Sequence, residues 1–580
     1  MHRLTLSLSL SLFLANLYIL PTSATPYPTP SLPTISIDSG LLTGTTTTLP
    51  PSPSASSPTT TTVHKYLGIP FAAPPTRFRA PQPPPSWEPE TIYDASEYKP
   101  GCIEQFNYPL EAREATMKLF GTPGAPAGVS EDCLNLNVFV PGSGAGVVGG
   151  RNDGGDEDSS SSSSGGGGKP VLFWIHGGNY MFGSGSRALY DGSSFAANQD
   201  VIVVTSNYRT NVFGFPGALE LGAEERNLGL LDQRLALSWV QRNIASFGGD
   251  PAKVTIFGES AGAGSVDALI TTPPPDDLFR AAILQSGQAT INLTPANSTK
   301  SWIELTKAFN CPSSGSGEGG GLECMRAIPA EDIKEVIERA GLIFGPAPDG
   351  GRTWPDTPRR DRLESTDKDP RIARVPVMVG ITAEEGRTFA AGQNDTEKFL
   401  REKLPQVPEE VIQAVLEEYP LGSPGIGNEV ERLSAIMTEL VMLCPLKIVA
   451  EESRGVGIEA WRYYYNASFA NMQPIEGSGV YHSSEIELVF GTFPEEGRTE
   501  FQVELGREMQ RAWADFAKEP DRGPGWEGVP QVAVLGGGVR AGEGDGDGDG
   551  DGGREVVRVV GSEVLDSRCR LFQGLYDGVS

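Results

Sequence analysis

The stretch Val254–Val266, VTIFGESAGAGSV, sets Ser260 between Gly258 and Gly262 in the spacing G-x-S-x-G. A serine hydroxyl is a weak nucleophile near neutral pH. It attacks a carbonyl when an adjacent base, most often a histidine oriented by a carboxylate, takes its proton. Glycine accounts for 71 of the 580 residues, so the pentapeptide alone carries little information. Its surroundings carry more. Val254, Ile256 and Phe257 read as a buried strand, the two glycines admit a strained turn, and a helix start follows, which are the three parts of a nucleophile elbow.

The chain around this turn alternates short apolar runs with helical patterns. Val171–Ile175, Val201–Thr205, Val254–Phe257, Ala281–Leu284, Val375–Val379 and Ala460–Tyr465 are nearly continuous apolar or aromatic segments, the kind that a parallel sheet buries on both faces. Leu228–Ile244 has helical spacing and stops at Gly248-Gly249-Asp250-Pro251. The alternation predicts an α/β fold built on one large, mostly parallel sheet.

In an α/β-hydrolase sheet the catalytic residues follow the chain order serine, acid, histidine. Of the four histidines, His2, His64 and His176 all precede Ser260, which leaves His482, in the loop GSGVYHSSEIELVFG. The acid must then follow a strand between the two. VPVMVGITAEEGRTF supplies Glu384 and Glu385, and by composition either qualifies. Asp349, Asp356 and Asp361 lie in polar loops with no strand before them.

The N-terminal MHRLTLSLSLSLFLANLYILPTSA combines Arg3, an apolar run from Leu4 to Leu20 and the small residues Thr22-Ser23-Ala24, the pattern of a cleaved secretory signal over residues 1–24. No other stretch reads as a membrane span, so the expectation is a secreted protein whose domain occupies residues 25–580. Six cysteines without a C-x-x-C pair fit disulfides rather than zinc. Sequons at Asn292, Asn297, Asn394 and Asn466 agree with the secretory route, although Pro295 spoils the first. A net charge of −28 repels polyphosphate and argues against a nucleic-acid partner. Three low-complexity segments, Thr45–Thr62, Gly146–Gly168 and Ala541–Arg554, are bordered by strand-like residues and read as hairpin-loop insertions in one domain. The last has Asp545, Asp547, Asp549 and Gly550 in the register of a calcium loop, but Val556 stands where the glutamate belongs and no helices flank it.

Taken together, YLGIPFAAPPTRFRAPQPP, SEDCLNLNVFVP, WIHGGNYMFGSGS, VIVVTSNYRTNVFGF, the segment from NLGLLDQ to GESAGAGSV, TAEEGRTF and YHSSEIELVFG resemble the type B carboxylesterase and lipase family, related to cholinesterases, in content and order. The resemblance spans nearly the whole mature chain. It implies a single α/β-hydrolase domain housing a serine ester hydrolase, with Glu385 as the acid beside Ser260 and His482; with the N-terminal signal and a first disulfide loop that lacks tryptophan, the expectation is a secreted enzyme cleaving neutral acyl esters. It implies an oxyanion hole from the amides of Gly178, Asn179 and Ala261, with Asn179 a departure from the family's usual third glycine. No metal or cofactor is needed. It pairs Cys102 with Cys133, Cys311 with Cys324 and Cys444 with Cys569. The first pair closes a loop that in lipases of the family covers the gorge, so Phe106, Tyr108, Leu119 and Phe120 are read either as a lid face touching lipid or as packed loop residues. In cholinesterases a tryptophan on this loop receives the choline; here there is none between Cys102 and Cys133. An interfacial lipase is the nearest alternative. A non-catalytic binding protein of the same fold is the remote one, since such relatives typically lack a triad member.

Overall fold

The computed structural model describes residues 32–50, 60–142, 167–293, 295–312, 320–405, 407–541 and 554–578. The expected signal over 1–24, the middles of the three low-complexity segments and the calcium-loop register lie outside them. Fourteen strands are described: β1 (Thr34–Ile37), β2 (Gly40–Thr43), β3 (Thr45–Leu49), β4 (Thr61–Pro70), β5 (Ile92–Asp94), β6 (Asn135–Pro141), β7 (Lys169–Ile175), β8 (Ile202–Ser206), β9 (Gly249–Glu259), β10 (Ala281–Gln285), β11 (Val377–Thr382), β12 (Ala460–Tyr465), β13 (Gln531–Leu535) and β14 (Val557–Gly561). Eleven of them form one sheet in the order β14-β13-β12-β11-β10-β9-β7-β8-β6-β4-β3, and β1-β2-β5 form a small second sheet. From β13 to β8 every pairing in the large sheet is parallel, while the outer pairings at both edges are antiparallel.

The apolar runs become central strands because both their faces are covered. Alternate residues feed opposite layers: Val171, Phe173 and Ile175 of β7 join one buried cluster, Leu172 and Trp174 the other. Helices Leu228–Asn243 and Ala261–Thr271 contribute Leu237, Val240, Val266 and Leu269 to the first cluster. Helix Glu500–Lys518, capped by the Thr499 side chain, contributes Leu505, Met509, Trp513 and Phe516 to the second. Pro33–Ser580 forms one compact unit; of the separate unit Met1–Leu32 only Leu32 is described.

Four sequence expectations are corrected. Thr45–Thr62 is not simply an insertion, since Thr45–Leu49 is the edge strand β3, antiparallel to β4, with β-branched threonines suited to a half-exposed edge. Gly146–Gly168 is not in a hairpin: β6 and β7 are separated in the sheet by β8, so this connection crosses over, whereas β3–β4 and β13–β14 are true antiparallel neighbours. A second stretch does have the length and composition of a membrane span, Glu429–Gly455, but 78% of its apolar window is buried, as in the core helix of a soluble protein. The strand expected from Val375 starts at Val377, because Pro376 before it has no N–H to give the ladder.

Candidate active site

β9 is the sixth of eleven strands, and Ser260 is the first residue beyond its C-terminal end, where open α/β sheets hold their ligands. Its backbone is forced: φ is 57° and ψ −122°, outside the regions an ordinary residue favours. Ser260 N–H donates to Gln285 O of β10 at 2.8 Å, and its carbonyl accepts from Gly264 N at 2.9 Å, so strand and helix grip the turn from both sides. The glycines are needed for close approach: a Cβ on Gly262 would lie 2.0 Å from Ile175 O, and one on Gly258 2.7 Å from the Gly262 carbonyl carbon. All of helix Ala261–Thr271 is buried, which fixes the turn against the sheet.

Glu385 follows β11 and His482 follows β12, so both come from the same sheet edge as Ser260. The two meet: His482 Nδ1 lies 2.5 Å from Glu385 Oε2, and the opposite carboxylate oxygen accepts from Thr382 N at 2.7 Å. Glu385 is fully buried and His482 is 7% exposed. Glu384, the other candidate acid, turns away to Arg387 and to the Val480 amide. His482 Nε2 lies 3.2 Å from Oε1 of Glu259, the residue just before the nucleophile. Burial alone pulls the imidazole down, but the Glu259 and Glu385 carboxylates outweigh it and raise it from 6.5 to about 9.

His176 opens the glycine loop and is no base: it is fully buried, stacked on Tyr208 with ring centroids 4.3 Å apart, and burial pulls it down to about 3. After it, Gly178 (φ 98°) and Asn179 (φ 53°) both adopt left-handed backbone. Asparagine tolerates that region better than other side chains, which explains how the departure from glycine is accommodated. The Asn179 side chain is exposed at the cavity wall.

A cavity of about 970 Å³ joins these parts. Gly178, Asn179, Ser260 and His482 line it, as do Phe106, Tyr108, Leu119 and Phe120 of the first disulfide loop. The three disulfides pair Cys102 with Cys133, Cys311 with Cys324 and Cys444 with Cys569. Phe106 is buried and stacks on Phe182 at 4.8 Å, so it is a packed residue; Tyr108 is 36% exposed and the adjoining helix Leu110–Thr116 buries none of its side chains.

Two carboxylates escaped the sequence reading. Glu259 occupies the variable position of G-x-S-x-G and looks from sequence like a surface acid, yet it is 2% exposed, accepts from the Ser483 hydroxyl, and is pushed up to about 7, chiefly by burial. Glu485, three residues after His482, is fully buried, accepts from Gln285 Nε2 at 3.0 Å, and burial raises it to about 8. The one sequence signal is the apolar company each keeps, IFGES and SEIELVF.

A serine on a strained elbow, a buried carboxylate–histidine pair and a glycine loop at one sheet edge are the parts an ester hydrolase needs. The chain matches the carboxylesterase family over residues 32–531 and belongs to it. It is 33% identical over 483 residues to the para-nitrobenzyl esterase of Bacillus subtilis (strain 168), covering 79% of this chain and 86% of that protein. It is 32% identical over 487 residues to the acetylcholinesterase of Bungarus fasciatus, covering 79% and 75%. The protein is a carboxylic ester hydrolase.

Proposed function

We propose that this is a secreted, single-domain α/β-hydrolase that cleaves neutral acyl esters through an acyl-enzyme on Ser260. The observation that carries the reading is the 2.5 Å contact of Glu385 with His482 in the cavity that also exposes Ser260. His482 Nε2 takes the Ser260 proton as Oγ attacks the ester carbonyl. Glu385 holds the other ring nitrogen and stabilises the imidazolium. The amides of Gly178, Asn179 and Ala261 receive the oxyanion; one such donor is worth about 10²- to 10³-fold in rate. His482 then protonates the leaving alcohol, and water repeats the sequence on the acyl-enzyme. Three disulfides suit an oxidising, extracellular setting.

The test is Ser260→Ala in purified protein, expected to lower turnover on a p-nitrophenyl ester by about 10⁶-fold with the fold intact. A variant keeping more than about one percent of activity removes Ser260 from the mechanism. A lipase reading has one observation in its favour, the helix Leu110–Thr116 beside the cavity with Leu110 55% exposed. Rates on long-chain esters that jump once substrate exceeds its solubility support it; rates that level off there support the esterase.

A further inference from the structure

Glu384 is the acid that the pairing with His482 leaves over, yet its contacts are specific. Its backbone N–H donates to Val480 O at 3.0 Å, and its side-chain Oε2 accepts from Val480 N at 2.7 Å, so one residue takes both polar groups of one peptide position. Its other oxygen accepts from Arg387 at 2.6 Å, and Arg387 reaches on to Gly477 O at 3.3 Å. The Gln473 side chain in turn donates to Gly479 O at 3.1 Å and accepts from Gly479 N at 2.8 Å. Gly479 is held at φ 67°, and a Cβ there would lie 2.3 Å from Glu384 Oε2. The segment leading to the histidine is thus held at two successive residues, Gly479 and Val480, and its glycine leaves room for the Glu384 carboxylate.

Val480 stands two residues before His482 and is fully buried, while Glu384 is bonded in chain to Glu385. The peptide that sets the histidine's height and the carboxylate that receives its ring are therefore both referred to the same turn after β11. A shift of Val480 by an ångström opens the 2.5 Å contact between His482 and Glu385 directly. We propose that Glu384 is a positioning residue for ester hydrolysis, its carboxylate fixing the Val480 peptide so that Glu385 and His482 stay in register. This rests on the reading of Ser260, Glu385 and His482 as the catalytic set. Glu384 does not line the cavity, so its effect falls on turnover and not on substrate affinity. The rival account, a part-exposed ion pair with Arg387, predicts little effect, since solvent screens such pairs.

The experiment compares Glu384→Ala, Glu384→Gln and Arg387→Met in the full chain with p-nitrophenyl butyrate, counting competent sites by stoichiometric phosphorylation with an organophosphate. Glu384→Ala is expected to lower kcat per titrated site by about 10²-fold, the loss typical of a misplacement of about 1 Å, with KM within about threefold. Glu384→Gln loses the charge but keeps an acceptor for Val480 N–H, and is expected to restore kcat to within about fivefold of the native enzyme. Unchanged kcat in Glu384→Ala overturns the proposal. So do equal losses in Ala and Gln, or a loss in Arg387→Met as large as that in Glu384→Ala, since both assign the effect to the ion pair. If Glu384→Ala yields too little folded protein, Glu384→Leu, which keeps the bulk but offers Val480 N–H no acceptor, takes its place: a loss of about 10²-fold in kcat per titrated site supports the proposal and an unchanged kcat overturns it. Full activity in Ser260→Ala or Glu385→Gln overturns the catalytic set instead, an outcome separate from all of these.

Discussion

At the scale of single residues, the adjacent glutamates after β11 take different partners. Glu385 is buried on the imidazole and Glu384 faces the preceding peptide, so Glu385→Gln is expected to be severe and Glu384→Gln mild; kcat/KM for both variants on one neutral ester checks the ranking, and the reverse order exchanges their roles. The electrostatics of His482 give a second prediction. Only the neutral imidazole can act as base, and the neighbouring Glu259 and Glu385 carboxylates hold it protonated above its ordinary 6.5, to about 9. The rate therefore rises with pH through the His482 ionisation and falls as the solution is acidified below it. Glu259→Gln keeps the shape of the side chain and removes the carboxylate charge that raises His482 most. Its pH profile of kcat/KM should move toward lower pH, and an unmoved profile would show that Glu259 does not set the base.

At the scale of elements, the site exists because four connections leave the same edge of the parallel sheet: the glycine loop after β7, the elbow after β9, the acid turn after β11 and the histidine loop after β12. The elbow tolerates no extra atom, given the 2.0 Å that a Gly262 Cβ would have to Ile175 O, so Gly262→Val should abolish both activity and phosphorylation of Ser260. The crossover between β6 and β7 contributes no described residue to the cavity. Removing residues 146–166 and closing the gap with a short turn is expected to preserve kcat and to keep Tm within a few degrees. Gly168 must stay, because it packs on the Gly249 backbone at the start of β9. A deletion that prevents folding would show that the removed segment packs on the domain.

For the whole molecule, the disulfides and the charge carry the predictions. Cys444–Cys569 closes 125 residues and Cys311–Cys324 only 13. Loop-closure entropy then ranks them, at about 3 kcal/mol for a short loop and about 5 kcal/mol for a long one. Replacing Cys444 and Cys569 together with alanine should lower Tm more than the same change at Cys311 and Cys324. The net charge of −28 draws cations toward the protein, but long-range attraction raises encounter rate more than it shapes a pocket. No tryptophan lines the cavity among the described residues, and phenylalanine and tyrosine are weaker cation faces. A neutral butyrate ester should therefore exceed butyrylcholine in kcat/KM at moderate salt. A tenfold preference for the choline ester would contradict this reading of the pocket.

The sequence by itself determined the strand–helix alternation and the turn at Ser260 and pointed to His482 as the candidate base, because these rest on local apolar period, glycine spacing and chain order. Resemblance to relatives supplied the acid and the cysteine pairing, which composition left open between Glu384 and Glu385. Only the tertiary structure decided that β3 is an edge strand, that Glu259 and Glu485 are buried beside His482, and that Glu384 grips Val480. The physical reason is common to all three. A threonine run or a glutamate reads as solvent-facing on any local rule, and its surroundings are set by strands far apart in sequence, brought to one sheet edge only when the parallel sheet closes.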